Sequence, residues 1–280
     1  MRRSTRTLCM AYSLAVYAGF LCVFVYAIGF VQRVGVPKDI DDGASASTGA
    51  AIAIDLALLG LFALQHSVMA RPAFKRWWTR IVPAPIERST FVLAASLALA
   101  LLLWQWRPLT TTVWDVESGA ARAALHALSW LGWLIVLATT FLINHVDLFG
   151  LRQAYRHLRA QPPATPEFQS PLLYRLVRHP LMLGFIIAFW TPPTLTQGSL
   201  LFAAFTTGYI LVALQLEERD LLLDLGDDYD AYRRRVPMLV PGLKPHTTAA
   251  TPDQHTGDSG AHHTEDVGCP PPPDRRQETC

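Results

Sequence analysis

Six apolar runs limit what this chain can become before any motif is considered. A helix needs about 20 apolar residues to cross the hydrocarbon core of a bilayer. Residues 8–31, 50–70 and 123–146 are such runs, and 90–106 is a slightly shorter one. Residues 181–191 form a short run stopped by Pro192 and Pro193, and 199–216 follow after a turn at Gln197-Gly198. These last two read as a helical hairpin. The pattern predicts an all-α, polytopic membrane helix bundle of about six spans, or five if the hairpin is re-entrant. Composition agrees. The 280 residues are 51% hydrophobic and 16% charged, with a mean hydropathy of +0.24, whereas soluble domains run about 25% charged. A soluble globular enzyme, a nucleic-acid module and a disordered scaffold are excluded. A net charge of +2 gives a polyanion little to hold.

Arg2, Arg3 and Arg6 give the first run the basic start of a signal peptide. The run is too long for one and no clear A-x-A cleavage site follows, so it reads as a retained span. With the N-terminus inside, the inner segments hold these arginines, then Arg71, Lys75, Arg76, Arg80 and Arg88, then Arg152, Arg156, Arg159, Arg175 and Arg178, then Arg219 and Arg233–Arg235. The outer segments hold Arg33 and Lys38, then Arg107 and Arg122. The positive-inside rule therefore predicts N-in, C-in and an even number of spans. Residues 1–242 form the expected membrane domain. Residues 243–280, rich in Thr, His and Pro, form an expected disordered polar tail. His262 and His263 belong to that tail. Cys9 and Cys22 lie in an apolar run, Cys269 and Cys280 in the tail, and no CxxC occurs, so no metal or disulfide framework is indicated.

Ionisable groups at membrane depth are costly and usually functional. On this topology Gln65 and His66, Asn144, His145 and Asp147, Arg178 and His179, and Glu217 and Glu218 all fall at inner helix ends. Asp55, Asp115 and Glu117 are scattered at outer ends. A site open to the cytosol follows from that asymmetry. His66 alone has a plain reading as a satisfied helix-end histidine, and Asp55 as a helix-interface group. Trp77, Trp78, Trp104, Trp106 and Trp114 read as interfacial belt residues.

Two segments carry more. In Arg178-His179-Pro180-Leu181-Met182-Leu183-Gly184, proline suits a first helical turn, a helix start exposes free N–H groups, and arginine binds carboxylates bidentately. Gly184 allows close approach of a ligand or a helix. Together they read as an anion clamp. Glu217-Glu218, followed by Gly226-x-x-Tyr229-x-x-Tyr232 and Val236-Pro237, brings adjacent carboxylates that could hold an ammonium group. Clamp and carboxylates side by side fit an amino-acid zwitterion such as that of S-adenosylmethionine.

These segments resemble the C-terminal half of the integral-membrane methyltransferases, the superfamily of isoprenylcysteine carboxyl methyltransferases and phospholipid methyltransferases. Further motifs are similar to the bacterial methanethiol S-methyltransferase family. They are Gln65-His66-Ser67-Val68-Met69-Ala70-Arg71, Trp77-Trp78, Glu87-Arg88-Ser89-Thr90, Trp104-Gln105-Trp106-Arg107-Pro108, Asn144-His145-Val146-Asp147-Leu148-Phe149-Gly150-Leu151-Arg152-Gln153 and Phe189-Trp190-Thr191-Pro192. The resemblance implies S-adenosyl-L-methionine as methyl donor, a small volatile thiol as acceptor and dimethyl sulfide as product. It implies a cofactor site lined by Arg178, His179, Pro180, Gly184, Glu217 and Glu218, in a bacterial inner membrane with the site facing the cytoplasm. Met182 stands where the superfamily commonly has tyrosine, so no role can rest on that phenol. Only a thiolate attacks well, and an unperturbed cysteine thiol has a pKa near 8.5. His145, oriented by Asp147, is the first candidate for a base, and His66 the second. Lipid amines, isoprenoid thiols and prenylated carboxylates stay open as acceptors. A haem protein and a small transporter are the non-enzyme readings. Helix rise separates His126 from His145 by about 28 Å, too far to share a haem. No internal repeat or paired midplane charge favours transport.

Overall fold

A computed structural model describes residues 3–162 and 172–243. They belong to one compact unit, Met1–His246; a second unit is Thr247–Cys280. The expected tail, with His262, His263, Cys269 and Cys280, lies outside the described residues except for Leu243. Helices α1 (Arg3–Gln32), α2 (Thr48–Ala70), a short α3 (Pro72–Trp78) and α4 (Glu87–Gln105) come first. Strand β1 (Thr112–Asp115) leads into α5 (Gly119–Ile143), α6 (His145–Leu148) and α7 (Leu151–Leu158). Helix α8 (Pro180–Trp190), strand β2 (Thr194–Thr196), α9 (Gln197–Leu225) and α10 (Asp227–Arg235) complete the described chain.

Among the described residues, five helices are long and apolar enough to cross a membrane: α1, α2, α4 with its preceding turn, α5 and α9. The fifth run, 181–191, folds as α8, which has only 11 residues. At 1.5 Å per residue it covers about 16 Å, roughly half the hydrocarbon core. The expected hairpin of α8 and α9 is present, with one full-length arm and one half-length arm. Helix α9 also continues past 216 to Leu225, because Leu221, Leu222 and Leu223 prolong its apolar character. Glu217 and Glu218 therefore sit inside a helix and not at its end.

Helix α5 packs most extensively on α8, and α4 packs on both α1 and α2. The contact between α5 and α8 is backbone against backbone. A Cβ at Gly132 would lie 2.6 Å from Gly184 O, and a Cβ at Gly184 would lie 2.7 Å from Gly132 O. Ser129 Oγ reinforces the pair by donating to Ala188 O at 2.9 Å. Around this seam Phe30, Leu59, Leu102, Trp106, Trp133, Phe189 and Phe202 form the main core.

The two short strands cap one end of the bundle. They pair antiparallel, Thr112 opposite Thr196 and Asp115 opposite Thr194. Of the outer-end acids expected to be scattered, Asp115 is held here: it pairs with Arg122 and accepts from Thr194 Oγ1. Beside it Asp41 pairs with Arg33 and accepts from Thr196 Oγ1. Lys38 Nζ donates to the carbonyls of Leu103, Trp104 and Trp106, closing the free end of α4. Asp55 is fully buried between helices and its Oδ1 accepts the Arg107 backbone N–H at 2.9 Å. Trp106 also departs from the belt expected of it: it is fully buried, with Nε1 donating to Ile40 O. Trp104 is 72% exposed and suits that belt.

Replacing Gly184 by leucine should cost about 1–3 kcal/mol through overpacking and lower the melting temperature in detergent. Gly19→Leu, where nothing lies within 4 Å of a new Cβ, should leave it unchanged; equal melting of both variants would disprove the close approach.

Candidate active site

The start of α8 is anchored by backbone before any side chain acts. Arg178 N–H donates to Pro237 O at 2.9 Å and His179 N–H to Met238 O at 3.2 Å. The segment after α10 thus consumes two of the amides that the sequence offered to an anion. Pro180 follows at the first helical position, which has no N–H to leave unsatisfied.

The side chains then converge on one carboxylate. Glu218 Oε1 lies 2.9 Å from Arg178 Nη2 and 3.1 Å from His179 Nε2. All three residues are 8% exposed. Arg178 Nη1 donates to Arg233 O at 3.2 Å, and Arg178 Nε is buried without a hydrogen-bond partner. Glu218 therefore braces the clamp from within. Glu217, one helical step away, is exposed and lines a recess of about 120 Å³. Tyr174, Arg178, His179, Leu221, Tyr229 and Tyr232 complete its lining. The carboxylates do not act as a pair: one holds Arg178 and His179 in place, the other faces the opening.

Burial raises the phenols of the recess. Tyr232 is pushed up to about 12, and Tyr174 and Tyr229 are pushed higher, with nearby glutamates adding to the effect. All three stay protonated donors. Tyr232 O–H donates to Tyr174 O at 2.6 Å. The Tyr229 hydroxyl is buried without a hydrogen-bond partner. These tyrosines were not among the expected site residues. The Gly226-x-x-Tyr229-x-x-Tyr232 spacing signals two of them; nothing local signals Tyr174.

Pro180 and Gly184 do not line the recess. Pro180 is buried at the helix start, and Gly184 serves the contact with α5. Met182 packs with Ile210, Leu214 and Leu239. His145 and Asp147 sit elsewhere at the same end of the bundle. The expectation that Asp147 orients His145 is not met. Asp147 accepts from Gln153 Nε2 at 2.6 Å and lies near Arg88 and Arg152. His145 instead bonds Tyr17 and Thr140. Asn144 explains this: its left-handed backbone, φ 99°, ends α5 and starts α6, a conformation asparagine tolerates better than most residues. His66 stacks on Phe62 and its Nδ1 is buried without a hydrogen-bond partner. His126 lines a recess at the strand end, far along α5 from His145. Among the described residues no group of three His, Cys, Asp or Glu could hold a metal ion.

A half-length helix seated beside full spans, with a buried arginine–glutamate clamp at its start, marks a polytopic helical membrane protein with a polar recess at one end. The NnrU protein family matches residues 56–213. A methanethiol S-methyltransferase of Mycobacterium tuberculosis is 58% identical over 86% of this chain and 99% of its own length. Methanethiol S-methyltransferase 2 of Bradyrhizobium diazoefficiens is 56% identical over 84% of this chain and 90% of its own. Nurim of Mus musculus is 32% identical over 61% and 68%. No solved structure matches the chain. The chain belongs to the methanethiol S-methyltransferase family of integral-membrane enzymes.

The clamp geometry separates two neighbouring glutamates. Glu218→Ala strands the buried Arg178 guanidinium, removes the partner of His179 and should lower stability by about 3–5 kcal/mol. Glu217→Ala should stay within about 0.5 kcal/mol. Thermal melting of the two purified variants in detergent checks this, and equal shifts would contradict the assignment.

Proposed function

We propose that the chain transfers a methyl group from S-adenosyl-L-methionine to the sulfur of methanethiol, giving dimethyl sulfide and S-adenosylhomocysteine. The observation that carries the donor is the recess itself. It joins an unpartnered buried Arg178 Nε to a free carboxylate at Glu217. A zwitterion answers both. Its volume lies below the roughly 300 Å³ at which small-molecule sites begin, so the described part matches the amino-acid end of the donor. The acceptor is supported by the relatives named above.

When bound, S-adenosyl-L-methionine supplies an electrophilic methyl group on a sulfonium. The protein's residues do the rest. Arg178 and the Tyr229 hydroxyl receive the carboxylate, and Glu217 receives the ammonium. Glu218 and His179 hold Arg178 so that no reorganisation is needed on binding. Thiolate and sulfonium carry opposite charges that vanish in the products, and apolar helices favour that loss over the separated ions. Fixing both reactants adds positioning.

The recess is lined by Glu217 and Leu221 towards the end of α9, where Asp220 pairs with Arg71 just beyond the end of α2. The arginine-rich connections fall there, so this end faces the cytoplasm of a bacterial inner membrane. The site then opens to a soluble donor, while a volatile thiol arrives through lipid or water.

Headspace gas chromatography of membranes given donor and methanethiol tests the proposal. Dimethyl sulfide should form only with both. Glu217→Gln should raise the KM for the donor by about 10–100-fold, the worth of a charged hydrogen bond. Donor binding without product would transfer the reading to a long-chain acceptor; neither binding nor product would end it.

A further inference from the structure

The thiol needs a route for its proton, and the clamp offers none: its phenols stay protonated and its one histidine is bound to Glu218. A second polar chain stands in aromatic surroundings at the same end of the bundle. Tyr17 Oη lies 2.6 Å from His145 Nε2, and His145 Nδ1 lies 3.0 Å from Thr140 Oγ1. Thr140 donates its own proton to Leu137 O at 2.8 Å. Its oxygen can therefore only accept from His145, which fixes the proton on Nδ1. The Nε2 lone pair is left to accept, and the Tyr17 hydroxyl donates to it. Burial lowers the pKa of His145 below its ordinary value and keeps the ring neutral. Asp147 does not compensate, because Gln153, Arg88 and Arg152 face it.

The base of His145 is thus covered. A thiol cannot reach Nε2 without displacing the phenol, so the half-buried Tyr17 hydroxyl is the group of this pair that an incoming thiol meets first. The surroundings suit a small apolar molecule. Phe20 and Phe149 flank Tyr17, with ring centroids 6.5 and 5.7 Å away. Rings continue from Phe20 to Phe24 at 5.5 Å, and from Phe24 to Phe185 at 6.5 Å. Phe185 belongs to α8, the helix whose start carries the clamp. An aromatic path joins the phenol to that helix.

We propose that Tyr17 is the catalytic residue facing the thiol, and that it relays the thiol proton to His145, with Thr140 as a positioning residue. This rests on the methyl-transfer reading above. The thiol S–H proton passes to Tyr17 Oη as the phenolic proton passes to His145 Nε2. The sulfur then forms its bond to the transferred methyl while the donor's sulfonium–methyl bond breaks, its electron pair remaining on the donor sulfur. The imidazolium releases its proton to water, since His145 is only half-buried.

The test compares parent, Tyr17→Phe and Thr140→Val with methanethiol and with a thiol acidic enough to be ionised at the assay pH. Calorimetry of S-adenosyl-L-methionine binding certifies that each variant is folded. Tyr17→Phe should lose about 100-fold or more in kcat with methanethiol, the lower range of general-base catalysis, and far less with the ionised thiol. Its rate with methanethiol should climb about tenfold per pH unit as thiolate accumulates, while the parent stays level above the pKa of His145 and falls below it. A purely structural tyrosine would lower both substrates equally and leave the two pH profiles parallel; that outcome, or a loss under threefold, overturns the relay. If Tyr17→Phe does not bind the donor, Thr140→Val carries the same comparison, with a smaller loss expected. No product from the parent overturns the methyl-transfer reading and the relay together, so the two failures are distinguishable.

Discussion

A carboxylate buried among apolar helices must be matched by positive charge and hydrogen bonds, and Glu218 is matched twice on a single oxygen, by Arg178 and His179. Much of the bundle's inner architecture follows from meeting that requirement. Arg178 and His179 sit immediately before α8, so the ion pair fixes where that helix begins. Pro237 and Met238 then take up the two amides ahead of the helix. On the other face, Gly132 and Gly184 let α5 and α8 touch through their backbones. A half-length helix is thereby held rigidly among full-length ones, with its polar start at a defined depth.

The two ends of the molecule solve different problems. At the strand end three cations are matched: Arg33 with Asp41, Arg122 with Asp115, Lys38 with three carbonyls. That end is a closure. The opposite end leaves Arg178 Nε, the Tyr229 hydroxyl and the Glu217 carboxylate to find partners outside the fold. Unsatisfied buried polar groups are costly, and two of them, Arg178 Nε and the Tyr229 hydroxyl, belong to the lining of this recess.

The spans were legible because a bilayer demands length and apolarity alone, and the runs near 8–31, 50–70 and 123–146 supply both. The length of α8 was legible too, since Pro192 and Pro193 stop it. The strands were not: Thr112–Asp115 and Thr194–Thr196 are too short to show alternation and exist through their pairing across the fold. Arg178, His179, Glu217 and Glu218 announce themselves as charges in apolar sequence. Their division of labour does not, because it depends on which face of α9 each glutamate occupies. Tyr17 was invisible. A tyrosine within a hydrophobic helix has no spacing that marks it, and its partner lies 128 positions away.

Asn144 acts as a phase shifter. In an unbroken helix each residue turns by about 100°, so residues five apart point about 140° from one another, and Thr140 and His145 could not meet. The left-handed backbone at Asn144 breaks that phase and turns the chain back, which brings His145 Nδ1 to 3.0 Å from Thr140 Oγ1. A single backbone angle at the end of α5 thus decides whether the imidazole follows the phase of that helix or turns to Tyr17. Chemistry at this end of the bundle is written in the geometry of one peptide unit as much as in the side chains around it.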